Sequence, residues 1–577
     1  MRNGSTPAAA VPPPTAGSST PRRSRSFSAW AASRRASRGS PSTSTRRPAA
    51  SRTTPAPRNS CSTNTGPDGP SERPRAAPRG ARRAQEGARM DAPIARRSLL
   101  ARAARAAGGL IVLPSARTAL AYAANARLRL AVFGNRYNAG YFLAAAHENG
   151  TEIAAYCNPD QRTIPAVRKA WGDQADKLAK ASGEEARRAA DRYRRWAAGE
   201  EVKIFADVRK LVGTMADGID ALVVSDYDHF HGAACGAALR AGKPVCTERP
   251  LGLTIEDARG LRALAAETRL PVTYRSPGTG TNRFRRAVEL AEDGAIGAIR
   301  EAHVWFKRGG PDNDAAPKGP QPVPEGLDWD LWLAPLAWRE YHADWMSYAH
   351  WRETCSGGLG TFGPHATIFP FVALGLRPLW DDPAARIRVT AECARLNRVS
   401  FPRWERVRWE LPARGNRPAA ALTWHHGPDY APETRERIHA LLRPLGVETP
   451  EAADALMKTA GSMLVGSDGA LVGNDHSTEI VALPASRLGP EAGAKPARIP
   501  ESKGIYRDWL DACRGEKPHI LADFENGGPL SELLMLGNIA TLFPGETLVY
   551  APAAGTLEGP AGAARRLGMA YREGWSR

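Results

Sequence analysis

The sequence predicts an α/β protein in two parts: a Rossmann-like domain on a parallel sheet, then an α+β domain with a mostly antiparallel sheet. Three observations carry this reading. Between residues 128 and 252, short apolar strands alternate with helical stretches, the pattern of βαβ units. After Pro250 longer alternating strands appear, with helices set between them. Polar and charged residues also follow two of the short strands directly, at Ser225–His231 and Glu248-Arg249, where open α/β sheets bind ligands.

The first 127 residues are a separate matter. They hold 23 arginines, no lysine and four acids, so the whole formal net charge of +19 lies there and residues 128–577 are neutral. A nucleic-acid-binding surface would carry its charge on the folded part, so no nucleic-acid partner is expected. Residues 1–89 are rich in Ser, Pro, Ala and Arg, with too little apolar side chain to offset ordering entropy. They are expected to be disordered or an over-extended start. From Met90, Arg96-Arg97, a short apolar run from Ala103 to Leu113 and Ala121-Tyr122-Ala123 resemble a twin-arginine signal and linker over 90–127. The run is too short to span a bilayer. Export to the periplasm or beyond is expected if the signal functions, and a cytoplasmic location if it does not. The seven cysteines form no C-x-x-C pair, which excludes a disulfide framework and a zinc site.

Strands are expected at Leu128–Phe133, Glu152–Cys157, Val202–Phe205, Ala221–Ser225 and Pro244–Thr247, giving a dinucleotide-binding domain over 128–252. A helix is expected over 141–148 and two more over 163–198. Thr254 and Asp257 open a capped helix. In the second domain, 253–577, strands are expected at 271–274, 297–307, 386–392, 404–411 and 420–424. A hairpin over 461–472 turns at Ser467-Asp468-Gly469. Helices are expected over 284–293, 503–514 and 529–540, on one side of that sheet.

The cofactor turn after the first strand is irregular. Gly134, Arg136 and Ala139 stand where G-x-G-x-x-G would place glycines, with Asn135 beside them. Arg136 offers a guanidinium to a phosphate instead of a close backbone approach. At the end of the second strand Asn158 occupies the usual acidic position, with Asp160 just beyond. Asp160 favours NAD, although NADP is not excluded. Ser225, Tyr227, His229 and His231 are further cofactor-contact candidates. Two histidines alone do not make a metal site, so no metal is expected. Capping by Asp228 and simple packing is the alternative for this loop. Glu248 and Arg249 follow a buried strand, where unpaired charge is costly.

Several segments together resemble the Gfo/Idh/MocA oxidoreductases. They are Ser225-Asp-Tyr-Asp-His-Phe-His231 with Glu248-Arg-Pro-Leu251; Phe284-Arg-Arg-Ala-Val-Glu-Leu290; Pro324-Glu-Gly-Leu-Asp-Trp-Asp-Leu-Trp-Leu333; Gly357-Gly-Leu-Gly-Thr-Phe-Gly-Pro-His365; and Pro529–Asn538. The resemblance implies an NAD(P)-dependent oxidoreductase acting on a sugar, polyol or glycoside. His365 would be the base and Arg249 the cation on the reacting hydroxyl. Arg249 stands where the family has Lys, and Thr361 where it has Asp. Arg cannot shuttle a proton and Thr cannot titrate. These departures leave open a catalytically altered or inactive nucleotide-binding protein. With an export signal they also admit a redox-neutral cycle on tightly held cofactor, such as redox-assisted glycoside hydrolysis or elimination. Tyr341, Trp351 and Arg352, just before the His365 segment, are the substrate-wall candidates. The tryptophans at 329, 332, 338, 345 and 351 suit sugar platforms, a core or an oligomer interface. A homo-oligomer is expected.

Overall fold

A computed structural model describes residues 127–134, 144–145, 147–148, 151–200, 202–428, 433–485 and 497–577. The expected leader, Asn135, Arg136 and most of the helix expected at 141–148 lie outside the described residues.

β1 (Leu128–Phe133), β2 (Thr151–Cys157), β3 (Lys203–Phe205), β4 (Ala221–Val224), β5 (Val245–Thr247) and β6 (Val272–Tyr274) form one sheet in the order β3-β2-β1-β4-β5-β6. Every pairing in it is parallel. Alternation along β1 splits the core. Leu128, Leu130 and Val132 join one apolar cluster with Trp171 and Trp196, and Ala131 and Phe133 join another with Leu211 and Phe230. Both faces are covered, which is why β4 reads Ala-Leu-Val-Val without a polar alternate.

The long charged stretch resolves into α1 (Ile164–Ala179) and α2 (Glu184–Ala198). They sit on the first face, with Trp171 edge-on to Tyr156 at 6.3 Å and to Trp196 at 6.1 Å. α3 (Val208–Thr214), α4 (Asp228–Arg240) and α5 (Ile255–Thr268) complete the crossovers. α5 starts in a capping box: Thr254 Oγ1 accepts from the Asp257 N–H at 3.2 Å and Asp257 Oδ2 accepts from the Thr254 N–H at 3.0 Å. Such a cap contributes about 1 kcal/mol.

One assignment changes. β6 was expected in the second domain, but Val272 and Tyr274 pair in parallel register with Val245 and Thr247. The parallel sheet therefore runs past residue 252. A three-residue strand has no periodicity to say which sheet it joins; the α5 crossover decides it.

The second sheet comprises β7 (Ile299–Phe306), β8 (Ile387–Cys393), β9 (Glu405–Leu411), β10 (Ala420–His426), β11 (Ala460–Gly466), β12 (Ala470–Asn474), β13 (Ile480–Leu483), β14 (Leu548–Ala551) and β15 (Thr556–Glu558). Its order is β13-β12-β11-β7-β10-β9-β8-β14-β15. Only β7 and β10 pair in parallel. Beside the short helix Trp329–Leu333, the further α-helices among the described residues are α6 (Asn282–Glu292), α7 (Gly357–Thr361), α8 (Gly363–Ala373), α9 (Thr434–Leu442), α10 (Pro450–Met457), α11 (Ile505–Cys513) and α12 (Phe524–Ala540).

α8 and α12 pack on one face, where Val304, Leu422, Phe369 and Leu534 share a core. The opposite face is also partly covered, contrary to the one-sided expectation. Trp305 alternates onto it with Met463 and Val472, beneath Ile438, Leu442 and Met457 of α9 and α10. Its indole N–H donates to the Met457 carbonyl at 2.6 Å. α12 ties the two domains together. Ser531 Oγ accepts from the Leu251 N–H at 3.0 Å, and Glu532 pairs with Arg259 at 3.1 Å. No helix of the described residues is long and apolar enough to cross a membrane.

Candidate active site

The carboxyl ends of β1 and β4 are neighbours, since Phe133 pairs with Val224. Gly134 leaves β1 with φ +85°, and a Cβ added there would lie 2.5 Å from both Asp226 Cβ and the Ser225 carbonyl oxygen. Only glycine fits this close approach. Ser225 is fully buried, and its Oγ has no hydrogen-bond partner among the described residues. An orphaned hydroxyl beside a tight glycine turn, at the switch point of a parallel sheet, suits the phosphate and ribose of a dinucleotide.

At the end of β2, Asn158 Nδ2 donates to Asp226 Oδ2 at 3.3 Å, and Asn158 Oδ1 accepts from the Asp160 N–H at 2.8 Å. Asp160 is held by Arg162 through two contacts, Nε to Oδ1 at 2.7 Å and Nη2 to Oδ2 at 2.8 Å. Its carboxylate is therefore already committed to a cation.

The His-bearing loop makes its polar contacts with the protein backbone. His229 Nε2 lies 2.8 Å from the Trp332 carbonyl oxygen and Nδ1 lies 3.2 Å from that of Thr354. His231 Nδ1 lies 2.8 Å from the Pro250 carbonyl oxygen and Nε2 lies 3.2 Å from that of Asp226. Both rings are buried and their nitrogens face backbone carbonyl oxygens. Burial pulls the His229 imidazole down to about 4, so it is neutral near pH 7. It then has one N–H, which the shorter contact assigns to Nε2. Tyr227 donates its hydroxyl to the Met346 carbonyl at 2.5 Å and packs edge-on to Trp332 at 5.2 Å. Asp228 does not cap its own helix: its Oδ2 accepts from the Ser356 N–H at 2.8 Å and from the Ser356 hydroxyl.

That bond sets the start of the second segment. α7 follows Ser356 at once and runs through Phe362 into α8, where His365 lies near the N-terminus. A Cβ on Gly358 would come within 2.7 Å of the His426 ring, which keeps this turn close to the sheet. His365 is 1 % exposed, and neither ring nitrogen has a hydrogen-bond partner among the described residues. Burial first, then the charges of Arg249, His476 and Arg275, hold its pKa well below the ordinary imidazole value. It is neutral and able to accept a proton.

The cations come from the ends of β5 and β6. Arg249 Nη1 contacts Glu248 Oε2 at 2.6 Å, and Arg275 Nε lies 3.6 Å from Glu248 Oε1. Glu248 and Arg249 are both buried, so the pair satisfies the desolvation argument that singled them out. Two guanidinium groups around one carboxylate leave net positive charge beside His365.

Thr361 is not brought into this cluster through its hydroxyl, which donates to the Gly357 carbonyl one turn back at 2.5 Å. The wall candidates also change. Arg352 donates to the Asn397 and Ser400 carbonyls at 2.9 and 2.7 Å and to Thr541 Oγ1 at 2.9 Å, and burial lowers it to about 10. Trp351 is buried against Trp345 at 5.4 Å, and Tyr341 against Trp329 at 5.0 Å. These residues anchor the 329–356 segment. Trp329 and Trp332 stack at 4.8 Å, whereas Trp338 is 63 % exposed.

Sequence reasoning missed four residues at the site: Arg275, Asp475, His476 and Tyr506. The His476 ring centroid lies 4.6 Å from that of His365, and Tyr506 OH accepts from Arg275 Nε at 3.1 Å. The polar run Asn474–Thr478 was a visible signal for a loop, but not for a loop folded onto α8. Among the described residues no group of three or more His, Cys, Asp or Glu could hold a metal ion.

Residues 128–276 match the model of the GFO_IDH_MocA oxidoreductase family, described as an NAD-binding Rossmann fold. Inositol 2-dehydrogenase 1 of Saccharopolyspora erythraea is 46 % identical over 70 residues, 12 % of this chain and 20 % of that protein. The 1,5-anhydro-D-fructose reductase of Ensifer adhaerens is 33 % identical over 103 residues, 18 % of this chain and 30 % of that protein. The chain thus matches less than a third of the length of either curated relative. Among solved structures, an inositol dehydrogenase homologue from Azotobacter vinelandii, complexed with NADH and myo-inositol, is similar over 74 % of this chain and 98 % of that one, with 17 % identity and a TM-score of 0.42.

Proposed function

We propose, from the match of residues 128–276 to the Gfo/Idh/MocA oxidoreductase family, that the chain is an NAD-dependent enzyme of that family, oxidising a secondary alcohol of a sugar or polyol, or reducing the matching ketone. The observation that carries the reading is His365: a buried imidazole with no hydrogen-bond partner on either nitrogen, beside the Arg249–Glu248 pair at the carboxyl end of a parallel strand. An acceptor held in that state suits the hydroxyl proton of a bound alcohol. Arg249 orients the hydroxyl oxygen and stabilises charge developing on it. Gly134, Ser225 and Asn158 would hold the dinucleotide, which when bound supplies the hydride acceptor. The substrate class is also what the names of the two curated relatives suggest.

The test is nicotinamide absorbance on incubation with pooled polyols and sugars, comparing the parent with His365→Ala. Turnover in the parent and its loss in the variant, with cofactor affinity kept, supports the reading. Turnover without added NAD, on cofactor that survives dialysis, would mark a redox-neutral cycle such as glycoside cleavage. The engaged hydroxyl of Thr361 favours a second reading, a nucleotide-binding protein without turnover. Bound cofactor that never changes redox state with any polyol would select it.

A further inference from the structure

His365 is a buried base without a carboxylate partner on its own helix. A proton collected there needs a route to solvent, and the Thr361 hydroxyl cannot supply one, because it points back to Gly357 and does not titrate near neutral pH. The hairpin between β12 and β13 brings a different pair of groups to the same ring.

That hairpin is tightly built. Asn474 Oδ1 accepts from the backbone N–H of Thr478 at 2.8 Å and of Glu479 at 3.2 Å, and Asn474 Nδ2 donates to Thr478 Oγ1 at 2.9 Å. Ser477 takes a left-handed conformation, φ +54°, and donates its hydroxyl to the His365 carbonyl at 2.9 Å. Behind the loop, Gly278 has no room for a side chain: an added Cβ would lie 2.7 Å from the carbonyl oxygens of His476 and Ser477. The loop is thereby pinned to α8 from one side and to the end of β6 from the other.

Between those anchors, the His476 ring lies 4.6 Å from His365, tilted by 36°, and both rings meet Phe362 edge-on at 6.0 Å. His476 Nδ1 is 3.1 Å from Asp475 Oδ1. A carboxylate at Nδ1 holds the proton on that nitrogen and leaves the Nε2 lone pair to accept another. The His476 side chain is 28 % exposed, whereas His365 is sealed. His476 therefore stands between the buried base and water.

We propose that His476, oriented by Asp475, is the positioning residue through which the proton taken up by His365 leaves the site. The inference rests on the function proposed above. The proton balance is simple. The alcohol O–H bond breaks as an N–H bond forms on His365; that N–H bond breaks as one forms on His476 Nε2; and His476 releases its proton to solvent. Neither His365 nitrogen is hydrogen-bonded to His476, so the proposed transfer between the neighbouring rings is carried by a water molecule. The electrons leave separately, with the hydride that the dinucleotide accepts. The charged groups facing the two rings are Arg249, Arg275 and His476 around His365, with Lys458 and His476 around Asp475. The cations disfavour a proton resting on His365, and His476 lies on the solvent side of it, so the path runs outward.

The experiment uses the full chain with histidines labelled by ¹⁵N, 12 in all, and needs no substrate for its first arm. Imidazole resonances are followed from pH 5 to 9 in the parent, His476→Gln and Asp475→Asn. The expected result is a pH-dependent step in the His365 signal that disappears in His476→Gln and changes in Asp475→Asn. The second arm measures rates. His476→Gln should lower kcat tenfold or more with KM little changed, and added imidazole should restore part of the loss. A His365 signal blind to His476 protonation, or a variant with full kcat across the pH range, would overturn the proposal. If instead no polyol is oxidised by the parent, the functional reading fails while the first arm still decides whether the two rings are coupled.

Discussion

Asp228 accepts a hydrogen bond from the backbone N–H of Ser356 at 2.8 Å, across 128 residues of chain. The first helical turn after β4 thereby fixes the start of the turn that carries His365. The Rossmann domain and the helix that carries His365 are thus joined by a buried hydrogen bond to a carboxylate, not by loop packing alone. Asp228→Ala should cost roughly 1–3 kcal/mol, because the Ser356 donors lose their acceptor in the interior. It should also lower kcat by tenfold or more while leaving NAD affinity near the parent value. Urea unfolding and cofactor titration of the same preparations check both halves.

His229 makes stability depend on acid. Its folded pKa is lowered to about 4. Below about pH 6.5 the unfolded imidazole takes a proton that the folded one refuses. Stability is therefore full above that value and falls as pH drops towards 4, by ~1.4 kcal/mol per pH unit and ~3 kcal/mol in all. His229→Gln keeps a donor but removes the titration. The stability gap between parent and variant should narrow steadily from pH 7 to pH 4.5. A constant gap would show that this histidine does not contribute to acid lability.

Arg249 acts on both stability and pH response. Arg249→Gln leaves the buried Glu248 with Arg275 at 3.6 Å as the remaining cation described around it, and should destabilise by roughly 3 kcal/mol. Removing a positive neighbour also raises the His365 pKa, so the acid limb of kcat/KM should move to higher pH. Arg249→Lys retains the charge and should leave that limb in place. A pH–rate comparison of the three proteins decides it.

The Asp160–Arg162 pair is expected to govern cofactor choice. The guanidinium is neutralised by two contacts to the carboxylate, at 2.7 and 2.8 Å. Asp160→Ser keeps an oxygen to cap the following turn but frees Arg162 to bind a 2′-phosphate. NADP affinity should rise about tenfold, ~1.4 kcal/mol, relative to NAD. Fluorescence titration with both nucleotides measures the ratio; an unchanged ratio would remove Asp160 from cofactor selection.

The sequence by itself determined the two-layer plan. Short β-branched apolar runs such as Ala221–Val224, bounded by polar residues, suit strands covered on both faces, and alternating runs such as Glu405–Leu411 suit a sheet with unlike faces. It also singled out Gly134, Glu248 and Arg249, because a tight turn and charges after a buried strand are local signals, whereas His365 came from the family resemblance. Tertiary structure decided what those signals mean. The histidines at 229 and 231 look the same in sequence as a ligand-binding pair, yet two backbone carbonyls claim each ring. Arg352 looks like a substrate contact and is an internal staple. Asp475 and His476 look like loop polarity and stand beside the base, more than a hundred residues from it in sequence. The physical reason is the same in each case: side-chain periodicity is written along the chain, whereas the partner of a buried polar group is chosen by packing between segments that the chain does not place side by side.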